Sequence, residues 1–268
     1  MKASAWQQRL KRARELETEC PFAAEVLRFY AEVAGFQEVV AAELEREGRR
    51  FPDACSFAAL LDTTLLVPHF RELLRRMNAI GSSDLAAAAD RLGRHGPEAW
   101  DELMKQYWRG NSDLELDPRD PRAFFTHAVL QPYAEWLAGE RNWSESAAAR
   151  PVCPFCSRPC LLAVLRPEGD GGKRSLVCNL CLTEWSYPRL ICAACGEEDP
   201  AKLVIYTAAE FPHIRLDACD GCGQYVKTID LTRNGRAVPV VDELAAIPLD
   251  LWAVDHGYTK LQGNLLGV

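Results

Sequence analysis

The sequence predicts an α+β protein: an N-terminal all-α helical domain followed by two tandem metal-binding modules. Three observations predict it. Eight of the eleven cysteines fall into four Cys-x-x-Cys pairs between residues 153 and 222. Composition shifts near Arg150, from Ala, Leu, Glu and Arg before it to Cys and β-type residues after it. Before that shift, apolar residues recur at helical spacing. The expected divisions are a helical domain over 1–145, a first module over 151–190, a second over 191–240, and a closing helix and tail over 241–268. Residues 144–151, rich in Ser and Ala and ending in Pro151, are the expected linker.

In the helical domain, residues 21–47 carry Phe22, Val26, Phe29, Val33, Phe36, Val40 and Leu44 at three- and four-residue intervals. Pro21 stands near the first turn and Gly48 after the last. Further helices are predicted over 57–80, 84–92, 97–108 and 121–138, with Pro68 and Pro132 kinking or splitting two of them. Asp120 is an N-cap ahead of Pro121 at the first helical position. The pattern points to a bundle and assigns it no function.

After Arg150 the cysteines carry the argument. Cys153/Cys156 and Cys178/Cys181 enclose 21 residues, and Cys192/Cys195 and Cys219/Cys222 enclose 23, so the unit reads as duplicated. Hairpin material lies between the pairs: 161–166 and 175–178 around a glycine-rich turn at 168–172, then 202–207 and 214–218. Each unit is similar to a zinc ribbon or rubredoxin-type module, in which two knuckles place four thiolates around one ion. Sequential pairing of the knuckles fits the duplication, and the spacing also allows a cross-braced scheme. Gly196 and Gly223 follow the second cysteine of their pairs, where a positive φ would aim backbone N–H groups at sulfur. Ser157 and Leu182 break that pattern in the first unit.

Disulfides could use the same cysteines, but residues 1–14 are charged and lack the apolar region of a secretory signal. The expected compartment is therefore the cytoplasm, where thiols stay reduced. A thioredoxin-like motif would need a surrounding βαβ pattern, which is missing. A forty-residue ribbon is near the size at which an apolar core alone fails, and a metal can contribute on the order of 10 kcal/mol of folding free energy. Four protein ligands close each site, which disfavours hydrolytic metal catalysis and leaves electron transfer by Cys-ligated iron open.

Other candidates favour packing roles. His69, His95 and His127 form no metal-binding spacing; Cys20 and Cys55 read as buried small apolar residues; Cys160 reads as a bystander of the first site. No nucleophile elbow, phosphate loop or dinucleotide fingerprint occurs, and no catalytic constellation stands out. No apolar run approaches the roughly 18 residues of a membrane span. The net charge is −7: residues 1–150 hold 20 basic and 24 acidic side chains, and 151–268 hold 11 and 14. Lys173-Arg174 is the one adjacent basic pair in the metal region, too little for the basic stripe of a nucleic-acid ribbon. Residues 241–258 read as a helix, acidic outside and apolar at Leu244, Ile247, Leu251 and Trp252, that closes the metal region. No heptad settles the oligomeric state, so a homo-oligomer stays open.

Taken together, Cys153-Pro-x-Cys, Cys178-Asn-Leu-Cys-x-Thr-Glu-Trp185, Cys192-x-x-Cys, Cys219-Asp-x-Cys-Gly-x-Tyr-x-Lys227 and the closing Leu249-Asp-Leu-Trp-Ala253 with Gly257-Tyr258 resemble the FdhE family, the formate dehydrogenase accessory proteins. The segment from Arg9 to Val40 also looks like that family's N-terminal domain. The resemblance implies a non-enzymatic assembly factor acting in the cytoplasm on the catalytic subunit of respiratory formate dehydrogenase. It implies iron in rubredoxin-type sites at Cys153, Cys156, Cys178, Cys181, Cys192, Cys195, Cys219 and Cys222, with zinc the alternative that the same ligands accept. Trp185, Tyr187 and Tyr225 would either flank a docking surface or cover the metal cores. A rubredoxin-like electron carrier and a zinc-ribbon nucleic-acid binder are the competing classes.

Overall fold

The structure, a computed structural model, describes residues 4–48, 56–110, 120–140, 150–169 and 171–267. The expected linker at 144–149 and Cys55 lie outside the described residues. Packing divides the chain into two compact units: one holds 4–31 with 150–264, the other 32–140 with 265–267. Composition assigns residues 4–31 to the helical domain, whereas packing places them with the sheet.

The helical unit contains α2 (Ala24–Glu47) from residue 32 onward, α3 (Val67–Ile80), α4 (Ser83–His95), α5 (Pro97–Arg109) and α6 (Pro121–Gly139). Pro68 lies in the first turn of α3, so the predicted helix over 57–80 becomes two 3-10 turns, Phe57–Leu60 and Thr63–Leu65, and then a helix. Asp120 caps α6 as expected, accepting from the Arg122 amide at 2.8 Å. Pro132 does not split α6. It removes the donor owed to the Ala128 carbonyl, and the buried Gln37 Nε2 supplies one at 3.0 Å. Phe36, Phe70, Met77, Met104, Phe125 and Tyr133 fill the core. The expected stripe on α2 holds from Val33 through Phe36 and Val40 to Leu44. Its first turns instead bury Ala23, Leu27 and Tyr30, leaving Phe22 62 % exposed.

The sheet unit starts with α1 (Ala5–Glu19), which the apolar pattern did not predict. Ser4 and Gln7 form a capping box at its start. The strands are β1 (Cys160–Glu168), β2 (Gly171–Cys178), β3 (Glu184–Ser186), β4 (Leu203–Thr207), β5 (Ile214–Cys219), β6 (Gln224–Asp230) and β7 (Thr259–Lys260). The two hairpin modules are fused edge to edge in one sheet, ordered β3-β2-β1-β6-β5-β4. The seam is a parallel pairing of β1 with β6 at Ala163–Leu165 and Thr228–Asp230; further along β6, β7 pairs with Gln224 and Tyr225. Leu162, Val164, Ile214, Leu216, Tyr225 and Ile229 form the sheet core with Ala246, Leu249 and Ala253 of the closing segment.

That closing segment is two helices, α7 (Pro239–Ala245) and α8 (Ile247–Asp255), with Pro248 opening the second. Leu244 is buried and Ile247 and Trp252 are half-buried, as expected of the apolar side, but Leu251 and the acids depart from the expectation. Asp242, Glu243 and Asp250 are buried, while Leu251 and Val254 are each 63 % exposed. Buried cations explain the position of the acids. Lys227, wholly buried on β6, reaches Glu243 at 2.7 Å and Asp250 at 2.5 Å; Lys260 contacts both carboxylates, and Asn264 donates to Glu243 at 2.9 Å. Arg12 of α1 forks onto Asp242 at 2.8 and 3.0 Å, and His213 lies 2.9 Å from the same carboxylate. These pairs tie α1 to α7 and account for its place in the sheet unit.

Candidate metal centres

Three knuckles are tight turns at the end of a strand or just before one, and the Cys192–Cys195 turn lies in the segment between β3 and β4. The Cys153 amide donates to the Arg158 carbonyl at 2.8 Å, Cys178 to Thr183 at 2.9 Å and Cys192 to Glu197 at 2.9 Å, the same five-residue span each time. The residue after the second cysteine has positive φ in all four knuckles: Ser157 at 60°, Leu182 at 51°, Gly196 at 77° and Gly223 at 69°. Ser157 and Leu182 therefore keep the turn expected to be broken there. Closing the loop on sulfur outweighs the roughly 1–2 kcal/mol an L-residue loses in that region. The Leu180 and Ala194 amides point at Cys178 Sγ and Cys192 Sγ, each at 3.4 Å.

The knuckles pair sequentially. Cys153, Cys156, Cys178 and Cys181 bring their sulfurs within 4.8 Å of one another, as do Cys192, Cys195, Cys219 and Cys222. In the first cluster Cys153–Cys181, Cys156–Cys178 and Cys156–Cys181 are 3.5, 3.3 and 3.6 Å apart. In the second, Cys192–Cys222 and Cys195–Cys219 are 3.9 and 3.8 Å apart. A tetrahedron with metal–sulfur bonds of about 2.3 Å has edges of about 3.8 Å. Both cages could hold a metal ion, and four sulfurs fill its coordination. Cys160 belongs to neither: it is buried on β1, and burial pushes its thiol up to about 12.

Protonation follows the crowding. Hydrogen bonds from Cys156, Cys178 and Cys181 hold the Cys153 thiol well below its usual range. The hydrogen bond with Cys153 raises Cys156, and burial raises Cys178. In the second cage a backbone hydrogen bond at Glu197 lowers Cys195, while burial pushes Cys222 up to about 12. In each cage the neighbouring thiols thus favour ionisation of one cysteine, Cys153 or Cys195, and oppose it at others. A divalent cation is the partner that brings all four to thiolate.

The profiles of the FdhE central domain and the FdhE C-terminal domain match residues 152–189 and 190–266, one four-cysteine cluster in each. Over residues 152–266 the chain matches the FdhE family. An FdhE homolog of Aquifex aeolicus (strain VF5) is 34% identical over 149 residues, covering 55% of this chain and 53% of that one. One from Pseudomonas aeruginosa is 32% identical and is covered over 52% of its length, so the chain spans about half of these two relatives. Protein FdhE of Escherichia coli O9:H4 (strain HS) is 27% identical across 97% of this chain and 86% of its own. In fold, the chain is similar to the crystal structure of the FdhE protein from Pseudomonas aeruginosa, with TM-score 0.76, 23% identity and coverage of 99% and 97%.

Within the region that matches the FdhE family, the surroundings of the two cages differ. All four cysteines of the first are buried, whereas Cys195 and Cys222 of the second are exposed. Trp185, Tyr187 and Tyr225 are 4 %, 5 % and 2 % exposed, which removes them as a docking surface. Their polar ends turn inward, to the Arg150 carbonyl (2.9 Å), the Cys192 carbonyl (3.1 Å) and Asp250 (2.8 Å). Arg174, counted from sequence as part of a basic pair, is buried as well. It donates to the Pro188 and Ile191 carbonyls at 3.0 and 3.1 Å and pairs with Asp217 at 3.3 Å, which holds the segment entering Cys192 against the sheet. No sequence signal marks that role. Lys227, by contrast, lies inside the motif that carries the resemblance.

Within the helical unit, His127 is buried, and His69, lowered by burial, lies 3.4 Å from Glu43. Cys20 is half-buried rather than buried. No helix among the described residues is long and apolar enough to cross a membrane.

Proposed function

We propose that this chain is an accessory protein for the maturation of respiratory formate dehydrogenase. It acts in the cytoplasm and binds the catalytic subunit beside two four-cysteine iron sites, with zinc the alternative metal. Cys153, Cys156, Cys178 and Cys181 would hold one ion, and Cys192, Cys195, Cys219 and Cys222 the other. The observation that carries this reading is the pair of closed four-sulfur cages in the region that matches the FdhE family. A closed cage has no position for a substrate, so the reading is of a binding protein and not an enzyme. The ion would supply folding free energy and, if iron, a one-electron couple. The chain's own part is to hold the knuckles: positive-φ turns, amide-to-sulfur contacts and the Arg174 anchor do so on the surface that contains the second cage.

The test is an anaerobic pull-down of the tagged chain from its native host during formate dehydrogenase expression. It is compared with a variant carrying serine at all eight paired cysteines. Capture of the catalytic subunit by the wild type alone is the expected result. Abundant subunit with no capture overturns the reading. Exposure of Cys195 and Cys222 favours a second reading, rubredoxin-like electron transfer, because an ion at the surface can exchange electrons with a docked donor. That reading requires a reversible iron couple, measurable by voltammetry.

A further inference from the structure

We propose that the outer edge of β4 is a docking site for an extended, basic polypeptide segment that joins the sheet as an added strand. β4 ends the strand order and, among the described residues, pairs only with β5. The phase of that ladder follows from the Asp220 amide, which donates to the Lys202 carbonyl at 2.8 Å. Alternating from there, Val204 and Tyr206 turn their backbone groups to β5, and Leu203, Ile205 and Thr207 turn theirs outward. The Leu203 N–H already donates to the Pro200 carbonyl, which leaves Ile205 and Thr207 as the positions that no backbone hydrogen bond among the described residues reaches from outside. Sheet edges are ordinarily guarded by a charge, a proline or a bulge. Leu-Val-Ile-Tyr-Thr carries none, and Ile205 is 53 % exposed.

The neighbourhood sets the chemistry of the occupant. Leu203 and Ile205 line a cleft with Leu190, Ile191 and Val226, and Leu190 is 62 % exposed, so alternate side chains of an added strand find an apolar seat. The cleft reaches Cys192 and Cys219, so the added strand would run beside the second cage. Charge around the strand is acidic: Glu197, Glu198 and Asp199 precede it, and Glu210 follows. Of the nearby cations, Lys202 is paired with Glu197 at 2.7 Å, Arg174 of the cleft and Arg215 opposite Thr207 are paired with Asp217 at 3.3 and 2.8 Å, and Arg189, on the cleft wall, donates to the Gly172 carbonyl at 3.4 Å. A segment alternating apolar and basic residues matches the backbone groups, the cleft and the charge. The inference concerns the mode of contact and does not depend on which partner the pull-down identifies.

The test uses the full chain and two blocked ten-residue peptides, one of alternating Lys and Val, the other of alternating Glu and Val. Backbone amide exchange is followed by NMR. The basic peptide should slow exchange at Ile205 and Thr207 at least tenfold, and the acidic one should leave it unchanged. Ile205→Pro removes an outward N–H and no β4–β5 bond, and should weaken binding at least tenfold while the β5–β6 amides stay protected. Should that variant fail to fold, Ile205→Lys places a guarding charge at the same point and should weaken binding likewise. Unchanged exchange at saturating basic peptide, or equal protection by the acidic one, overturns the proposal. So does protection that grows with protein concentration alone, because it identifies a second copy as the occupant.

Discussion

At the level of single residues, the knuckles show how a metal-type turn imposes backbone conformation on whatever side chain it meets. Ser157 and Leu182 take the φ that Gly196 and Gly223 take, although only glycine does so without strain. Ser157 is exposed, so Ser157→Gly should raise stability by about 1 kcal/mol in urea titration. Nothing would crowd a Cβ at Gly196, so the cost of Gly196→Ala is the conformation itself, about 1–2 kcal/mol in the same measurement. Leu182 differs because its side chain packs against the sheet core, and Leu182→Gly should gain less than Ser157→Gly. The glycines were legible from spacing. The strained pair was not, because residue type argued against the conformation they adopt.

Among the elements, α6 and the α7–α8 pair show where local pattern misleads. Pro132 in an apolar run signals a break, but Gln37 of α2 replaces the lost donor, so α6 runs on to Gly139. Gln37→Leu would leave the Ala128 carbonyl buried and unpartnered. The expected loss is about 1–3 kcal/mol in chemical denaturation. In α7 and α8 the carboxylates were expected in solvent because isolated acids are costly to bury. Lys227 and Lys260 arrive from β6 and β7 and reverse that expectation. Apolar periodicity does not single out α1 because its stripe is thin; the Ser4-x-x-Gln7 box is the local signal, and the resemblance covers a helical segment from Arg9 onward.

Across the whole molecule, the two clusters should behave differently. A chelator should take the ion from the second cage at least tenfold faster than from the first, since Cys195 and Cys222 are exposed and the first four cysteines are buried. Metal release followed with an indicator dye, with Cys195→Ser and Cys178→Ser variants assigning the two phases, checks this order. The buried carboxylates also set an acid limit. Burial raises Asp242 and Glu243, but hydrogen bonds from His213 and Arg12 outweigh it at Asp242, and the charges of Lys227 and Lys260 outweigh it at Glu243. Both carboxyls end below their ordinary range. Their stabilisation is fully present above the unfolded values, about 3.9 for Asp and 4.3 for Glu, and is lost as pH falls through the lower folded values. The urea midpoint should therefore drop below about pH 4. Glu243→Gln should flatten that drop and cost about 3–5 kcal/mol at neutral pH, because it leaves Lys227 underpaired.

Sequence alone determined the existence of two four-cysteine sets, the duplicated hairpins around them and the main helices. Each of these rests on interactions between residues close along the chain, whose spacing is the geometry. Tertiary structure decided that the knuckles pair in sequence, that the two modules share one sheet through the parallel β1–β6 seam, and that residues 4–31 belong with that sheet. It also decided that Trp185, Tyr187 and Tyr225 are interior and that the acids of α7 and α8 are neutralised within the fold. These outcomes depend on partners far apart in sequence, such as Arg12 and Asp242 or Lys227 and Glu243. A charged side chain is read as solvent-facing until its counter-ion is in place, and only the folded chain brings the two together.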